Sequence, residues 1–203
     1  MIQDSNLLTG IVLMGGKSSR MGTDKSRLTY NSEKGEMNPA EKQQTFSELA
    51  YDKLKPFCSD IFYSINSEQN TLELPNTVID VFEGEGPLGG IISSMRTTQK
   101  SIMIVAVDMP LVSTSTLRKL VEYRDWNLLS TSYYSKENNI WDPFPSIWEI
   151  EALPCLEEYF ESGERSFQKF LNKYGHQQVP ISSEKDFTNV NTMEQYIRLP
   201  ISS

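Results

Sequence analysis

The stretch GIVLMGGKSSRMGTDKSRL, residues 10–28, joins an apolar run to a glycine-rich turn with several cationic side chains. The apolar part predicts a buried strand from Thr9 to Met14. Gly15 and Gly16 follow directly. Because glycines let backbone N–H groups approach a bound anion, the stretch predicts a phosphate-binding loop after the first strand. The alternative is a tight turn between a strand and a helix, with solvated charges.

The cations of this loop do not match the common phosphate-binding templates. A P-loop needs lysine after its last glycine, but Thr23 follows Gly22. The dinucleotide pattern G-x-G-x-x-G needs a glycine where Lys17 stands. Among the four cations of the stretch, Arg20 and Lys25 are placed to reach phosphates. The sequence therefore indicates a phosphate loop of another kind.

Composition limits the classes of protein. The chain has 203 residues and a formal net charge of −8, which disfavours nucleic acid as a partner but allows a local site for a small anion. Two distant cysteines, Cys58 and Cys155, are typical of reduced thiols in a cytoplasmic protein, although one disulfide is arithmetically allowed. No apolar run reaches the roughly 20 residues of a membrane span, and residues 1–8 do not resemble a signal peptide. We expect a cytoplasmic protein with a single domain over residues 1–203.

Predicted strands alternate with predicted helices along the chain. Further strands are expected over 60–66, 76–81, 101–108, 128–134, 144–150 and 177–181, and helices over 39–56, 89–98, 114–123, 153–160, 167–174 and 192–199. This alternation predicts an α/β fold with three layers, Rossmann-like, around a mostly parallel central sheet. The nearly continuous apolar run 101–108 indicates a central strand. Ligands of such sheets bind at the carboxyl ends of the strands, where Gly15, Asn66, Asp80 and Asp108 stand.

Several segments together resemble one enzyme family. Residues 13–25 resemble the L-A-G-G-x-S-x-R-M-G-x-D-K signature of nucleotidyltransferases, specifically the molybdenum cofactor guanylyltransferases, with Met14 in place of alanine. The segments GEGPLGGI, VAVDMPLV, ESGERSFQKFL and NVNTMEQY resemble later family segments in the same order, with Met193 in place of proline. The resemblance extends over residues 9–199 and implies a nucleotidyltransferase fold.

The resemblance also implies a reaction and a set of site residues. The reaction is transfer of GMP from GTP to molybdenum-bound molybdopterin (Mo-molybdopterin), with release of pyrophosphate and Mg²⁺ as cofactor. The implied catalytic residues are Arg20, Lys25 and Asp108, of which Asp108 also holds the metal. The implied nucleotide-binding residues are Leu13, Met14, Gly15, Gly16, Lys25, Asn66, Asp80, Gly86 and Asp108. Asn189 and Asn191 are implied on the pterin side, and transient contact is expected with proteins that supply molybdopterin and with molybdoenzymes.

Several of these residues also have a purely structural interpretation. Asp108 could cap a helix and Asp80 could close a turn, while Asn191 or Thr192 could cap the last helix. The aromatic side chains around residues 141–148 could flank a flat pterin, although core packing is the favoured interpretation of Trp148.

Two rival functions remain at this stage. One is a related transferase that uses CTP on the same cofactor or a nucleotide on a sugar phosphate. The family's cytidylyl branch typically reads A-A-G where this chain has Met14, Gly15 and Gly16, and P-K where it has Asp24 and Lys25, which favours guanine. The other rival is a non-catalytic nucleotide sensor, which we expect to lack Lys25 or Asp108.

Overall fold

The fold is described from a computed structural model, which covers residues 8–14, 25–30, 44–67, 69, 74–82 and 84–199. Its strands are β1 (Leu8–Leu13), β2 (Thr29–Tyr30), β3 (Gln44–Thr45), β4 (Cys58–Ile65), β5 (Thr77–Ile79), β6 (Ile102–Ala106), β7 (Ser130–Ser135), β8 (Ile140–Trp148) and β9 (His176–Pro180). Its α-helices are α1 (Phe46–Leu54), α2 (Pro87–Thr98), α3 (Thr114–Tyr123), α4 (Leu153–Glu161), α5 (Phe167–Lys173) and α6 (Met193–Ile197).

Seven strands form one sheet in the order β5-β4-β1-β6-β8-β7-β9. Only β8 runs against its neighbours, since β6 and β7 both pair with it antiparallel while the other pairs are parallel. Every residue of β1 and of β6 is buried. The mostly parallel sheet and the central position of the 101–108 strand are confirmed.

Helices cover both faces of this sheet. The ring of Tyr63 on β4 stacks on Tyr51 of α1, with centroids 5.4 Å apart. The next residue, Ser64, faces α2, because a Cβ added at Gly90 would lie 3.4 Å from its hydroxyl oxygen. Successive side chains of a strand point to opposite faces, so α1 and α2 lie on opposite sides. Since α3 packs beside α1 and α4 beside α2, the three-layer prediction is confirmed.

Several predicted element boundaries were wrong, most of all those of α1, α2 and β8. Helix α1 begins at Phe46, because Gln44–Thr45 pairs with Thr29–Tyr30 in a small antiparallel sheet; residues 39–43 lie outside the described part. A capping box fixes this start: the Thr45 hydroxyl accepts from the Glu48 N–H at 3.2 Å, and the Glu48 carboxylate accepts from the Thr45 N–H at 2.8 Å. Helix α2 begins two residues before Gly89, and β8 begins and ends earlier than the predicted strand 144–150. In the described ranges, no helix combines the length and the apolarity that crossing a membrane requires.

Candidate active site

A lysine, an aspartate and an asparagine meet at the carboxyl edge of the sheet. The Lys25 ammonium nitrogen donates to the Asn191 side-chain oxygen at 2.6 Å and lies 3.5 Å from a carboxylate oxygen of Asp108. The Lys25 and Asp108 side chains are 16% and 28% exposed, so the pair is largely shielded from water and still open on one side. Three motifs that are far apart in the chain therefore form one polar cluster.

Backbone hydrogen bonds place each member of this cluster. The N–H of Val107, just after β6, donates to the Leu13 carbonyl at 3.0 Å, so the β1 and β6 chains stay paired up to the site. The Asp108 carbonyl accepts from the Val190 N–H at 2.8 Å, which brings the segment with Asn191 alongside. Lys25 begins a short 3₁₀ turn, Lys25–Arg27, that follows the predicted phosphate loop.

Asp108 does not cap the helix that follows it. The N-cap of α3 is Ser113, whose hydroxyl accepts from the Thr116 N–H at 3.2 Å. Burial raises the pKa of the Asp108 carboxyl, and the nearby Lys25 ammonium opposes that shift. A carboxylate with this environment is stabilised by cations, so the geometry favours an ion-binding role over a cap.

The donor set around Asp108 fits Mg²⁺. Magnesium usually binds one or two protein carboxylates together with substrate phosphates and water. Asp108 supplies one partly exposed carboxylate, and the described residues contain no group of three or more His, Cys, Asp or Glu that would form an all-protein metal site. A metal held here would therefore take its remaining ligands from a bound nucleotide and water.

Asp80 stands at the end of β5 and closes the turn that follows. One carboxylate oxygen accepts from the Phe82 N–H at 2.9 Å and from the Ser93 hydroxyl at 3.1 Å. The Ser93 oxygen in turn accepts from the Val81 N–H at 3.1 Å. One oxygen of Asp80 therefore stabilises the turn, as the structural interpretation expects. No other hydrogen bond of this carboxylate is found in the described segments. Sequence reasoning missed Ser93, which has no recognisable motif of its own.

Asn66 and Gly86 also lie at strand or helix ends on this side of the fold. The Asn66 side-chain oxygen accepts from the Gln69 N–H at 2.8 Å, so this amide caps a local turn. Gly86 is the N-cap of α2 with φ of +86°, a left-handed conformation that favours glycine, and Pro87 follows it. A Cβ at Gly86 would meet no described atom within 4 Å, so the backbone conformation, and not crowding by described residues, is what favours glycine here.

Leu13 and Met14 belong to the hydrophobic core and not to a surface loop. Both are buried, and the Met14 N–H donates to the Ser64 carbonyl at 3.0 Å, which extends the pairing of β1 with β4. The Met14 side chain packs in the core, where the family pattern has alanine. Gly15, Gly16 and Arg20 lie outside the described residues, so their assigned roles stay predictions.

The two asparagines near the end of the chain have different surroundings. Asn191 accepts from Lys25, and its N–H donates to the Gln195 side chain at 2.7 Å. Thr192 is the N-cap of α6, with a capping box to Gln195. Asn189 is exposed, and its side chain has no hydrogen bond to any described residue. Only Asn191 therefore joins the Lys25–Asp108 pair directly.

The aromatic side chains around residues 141–148 belong to the core. Trp141, Phe144 and Trp148 are all buried. The Trp141 indole donates to the Asn172 side chain at 2.8 Å, and the Trp148 ring contacts Phe167 and Phe170. The structure supports core packing for all three and gives no support to a pterin-flanking role.

Comparison with known proteins places this chain in one family. The sequence model of the MobA-like NTP transferase domain matches residues 10–179. A Chloroflexus aggregans protein named "Probable molybdenum cofactor guanylyltransferase" is 31% identical over 165 residues, which cover 80% of this chain and 75% of that one.

Two solved structures share the fold. The molybdopterin-guanine dinucleotide biosynthesis protein A of Archaeoglobus fulgidus superposes with a TM-score of 0.74 at 20% identity, covering 94% of this chain and 96% of the other. A Mycobacterium tuberculosis protein in complex with manganese gives a TM-score of 0.65 at 14% identity, covering 98% and 100%.

Proposed function

Because the chain belongs to the MobA-like NTP transferase domain family and is a nucleotidyltransferase, we propose that it transfers GMP from GTP to Mo-molybdopterin. The products are pyrophosphate and the molybdopterin guanine dinucleotide. The names of its relatives support this choice of substrates. The proposal extends to transient contact with the proteins that supply molybdopterin and with the molybdoenzymes that receive the cofactor.

The observation that carries the proposal is the Lys25–Asp108–Asn191 cluster. A cation 3.5 Å from a partly open carboxylate, at the carboxyl edge of the sheet, suits a triphosphate with its metal ion. The ammonium of Lys25 would donate to phosphate oxygens, and Asp108 would hold Mg²⁺. When bound, the metal withdraws negative charge from the phosphates.

The reaction asks little covalent chemistry of the protein. The terminal phosphate of molybdopterin attacks the α-phosphorus of GTP, a new P–O bond forms, and the bond to pyrophosphate breaks. The attacking oxygen is already anionic, so no general base is required. Catalysis then rests on positioning and on stabilising the negative charge of the transition state, to which Lys25 and, as a prediction, Arg20 contribute.

We assign Asn191 to the orientation of Lys25. Its side-chain oxygen accepts one ammonium hydrogen at 2.6 Å, and Asp108 lies 3.5 Å from the same nitrogen, which leaves a further hydrogen to face a phosphate. Asn189, exposed two residues away, is free to contact the pterin substrate.

Dissociation constants for GTP, ATP, CTP and UTP in the presence of Mg²⁺ test the nucleotide assignment. Guanine carries N1–H and 2-amino donors that adenine lacks, and a buried acceptor left unpaired costs about 1–3 kcal/mol. GTP should therefore bind about ten- to a hundredfold more tightly than ATP. Asp80 and the Glu85 carbonyl are the candidate acceptors, because the Gly86 carbonyl accepts from the Gly89 N–H and the carbonyls of residues 87–90 lie inside α2.

A matched variant separates base recognition from phosphate recognition. Lys25→Ala should weaken all four nucleotides by a similar factor, since the lysine contacts the part that they share. Equal affinity for GTP and ATP, or tighter binding of CTP, would contradict the guanylyl assignment and favour the cytidylyl rival.

A further inference from the structure

The loop between Asp80 and Gly86 is fastened to the C-terminal half of the chain by an ion pair. A guanidinium nitrogen of Arg165 lies 2.7 Å from a carboxylate oxygen of Glu85, 80 residues away in the chain. Arg165 belongs to the G-E-R motif, which has no part in the site described above. Glu85 precedes Gly86, the N-cap of α2.

Arg165 is itself held firmly on the end of α4. Another nitrogen of its guanidinium donates to the Phe160 carbonyl at 2.6 Å and to the Glu164 carbonyl at 2.9 Å. The guanidinium also lies over the Phe160 ring, 3.6 Å from its centroid. Gly163 makes this turn possible, with φ of +87°. These contacts fix the Arg165 guanidinium at the end of α4 in addition to its ion pair with Glu85.

A second contact fastens the other end of the same loop. The Phe82 ring packs on the Phe160 ring, with centroids 4.6 Å apart. The Phe82 N–H donates to Asp80 and its carbonyl accepts from the Glu85 N–H at 3.1 Å. Phe160 therefore contacts both Phe82 and Arg165, and the loop is held to α4 at two points.

We propose that Arg165 is a positioning residue that, through Glu85, holds residues 84–86 beside Asp80 in the arrangement that binds the nucleotide. The inference rests on the proposed function, in which Asp80 and Gly86 contact the nucleotide. It assigns the G-E-R motif to the nucleotide side of the reaction. Arg165 acts on the nucleotide only through the loop.

A positioning role of the Arg165–Glu85 pair can be distinguished from a purely electrostatic effect on nucleotide binding. Glu85 is 50% exposed and Arg165 34% exposed, so the pair contributes little to global stability. If Glu85 acted only through its charge, its removal would strengthen the binding of an anionic nucleotide. If Glu85 holds the loop, Glu85→Gln weakens nucleotide binding instead.

A double-mutant cycle with Arg165→Ala and Glu85→Gln tests the proposal. The dissociation constant and KM of the nucleotide, kcat at saturation, and Tm are measured for the parent, both single variants and the double variant. Lys100→Ala is the matched control, because Lys100 forms a similarly exposed ion pair with Asp60 at 3.2 Å, at the opposite edge of the sheet. The cycle isolates the part of the effect that passes through the pair.

We expect each single variant to raise the nucleotide dissociation constant and KM, with Arg165→Ala raising them about five- to thirtyfold. The kcat should stay within about twofold, the Tm of Glu85→Gln should change no more than that of the control, and the double variant should bind no more weakly than Arg165→Ala.

Additive effects in the double variant, tighter binding by Glu85→Gln, or a loss confined to kcat would each overturn the proposal. The cycle is measured with GTP, ATP, CTP and UTP in turn, so its outcome does not depend on GTP being the preferred nucleotide. A parent protein that binds ATP or CTP best would overturn the guanylyl assignment alone, and a parent that binds none would overturn both.

Discussion

Replacing Lys25 with alanine should separate activity from stability. The ammonium lies 3.5 Å from Asp108 and 2.6 Å from Asn191, with the side chain 16% exposed. Removing one preorganised donor from a site of developing negative charge costs about 100- to 1,000-fold in kcat. The lost ion pair and hydrogen bond stabilise the fold by only about 1 kcal/mol in such a partly open setting. For a chain of 203 residues, that corresponds to roughly 2–4 °C in Tm.

The assay measures pyrophosphate release under saturating substrates, together with Tm by thermal unfolding. Lys55→Ala is the control, because Lys55 is an exposed lysine whose ion pair with Asp52 lies on the surface; this variant should keep full activity. Full activity of Lys25→Ala would refute the phosphate-binding role. A Tm loss far above 4 °C would show that the lysine serves the fold instead.

Two further predictions concern ionisable groups. Asp108→Asn should abolish turnover and its magnesium dependence. The Tm should stay the same or rise, because burial raises the pKa of Asp108 and an amide removes the cost of the buried charge. A lower Tm with normal turnover would contradict this prediction. Burial among aromatic rings lowers the pKa of His176 to about 4 from 6.5, so below pH 6.5 the unfolded state binds the proton more readily. The free energy of unfolding should therefore fall by about 3 kcal/mol between pH 6.5 and 4, and His176→Phe should flatten this dependence in denaturant titrations at several pH values; an unchanged slope would contradict the assignment.

The mostly parallel sheet, its central strand and the edge that carries the site follow from patterns that the sequence displays. The apolar run 101–108 could only be a buried strand, and its terminal Asp108 had to stand at the carboxyl edge. The start of α1 was also readable, since Thr45 and Glu48 have the spacing of a capping box. The polar composition of residues 31–44 hid this helix start. The strand Gln44–Thr45 forms because it pairs with Thr29–Tyr30, and local propensity does not predict such a pair.

The remaining features of the site depend on contacts between distant parts of the chain. Arg165 and Glu85 are 80 residues apart, and nothing local marks them as partners. Ser93 supports Asp80 from inside α2, where a serine has many ordinary uses. The burial of Trp141 and Phe144 depends on α5, which supplies Gln168, Asn172 and Phe167 as neighbours. Such pairings exist only once the fold brings the elements together.

The most direct test of guanylyl transfer is to supply Mo-molybdopterin with an equimolar mixture of GTP, ATP, CTP and UTP, with Mg²⁺, and to identify the dinucleotide product by mass spectrometry. The account predicts molybdopterin guanine dinucleotide as the main product, with one pyrophosphate released per molecule formed and none of either from Asp108→Asn. A cytosine dinucleotide, or no product from a protein that binds these nucleotides, would contradict it.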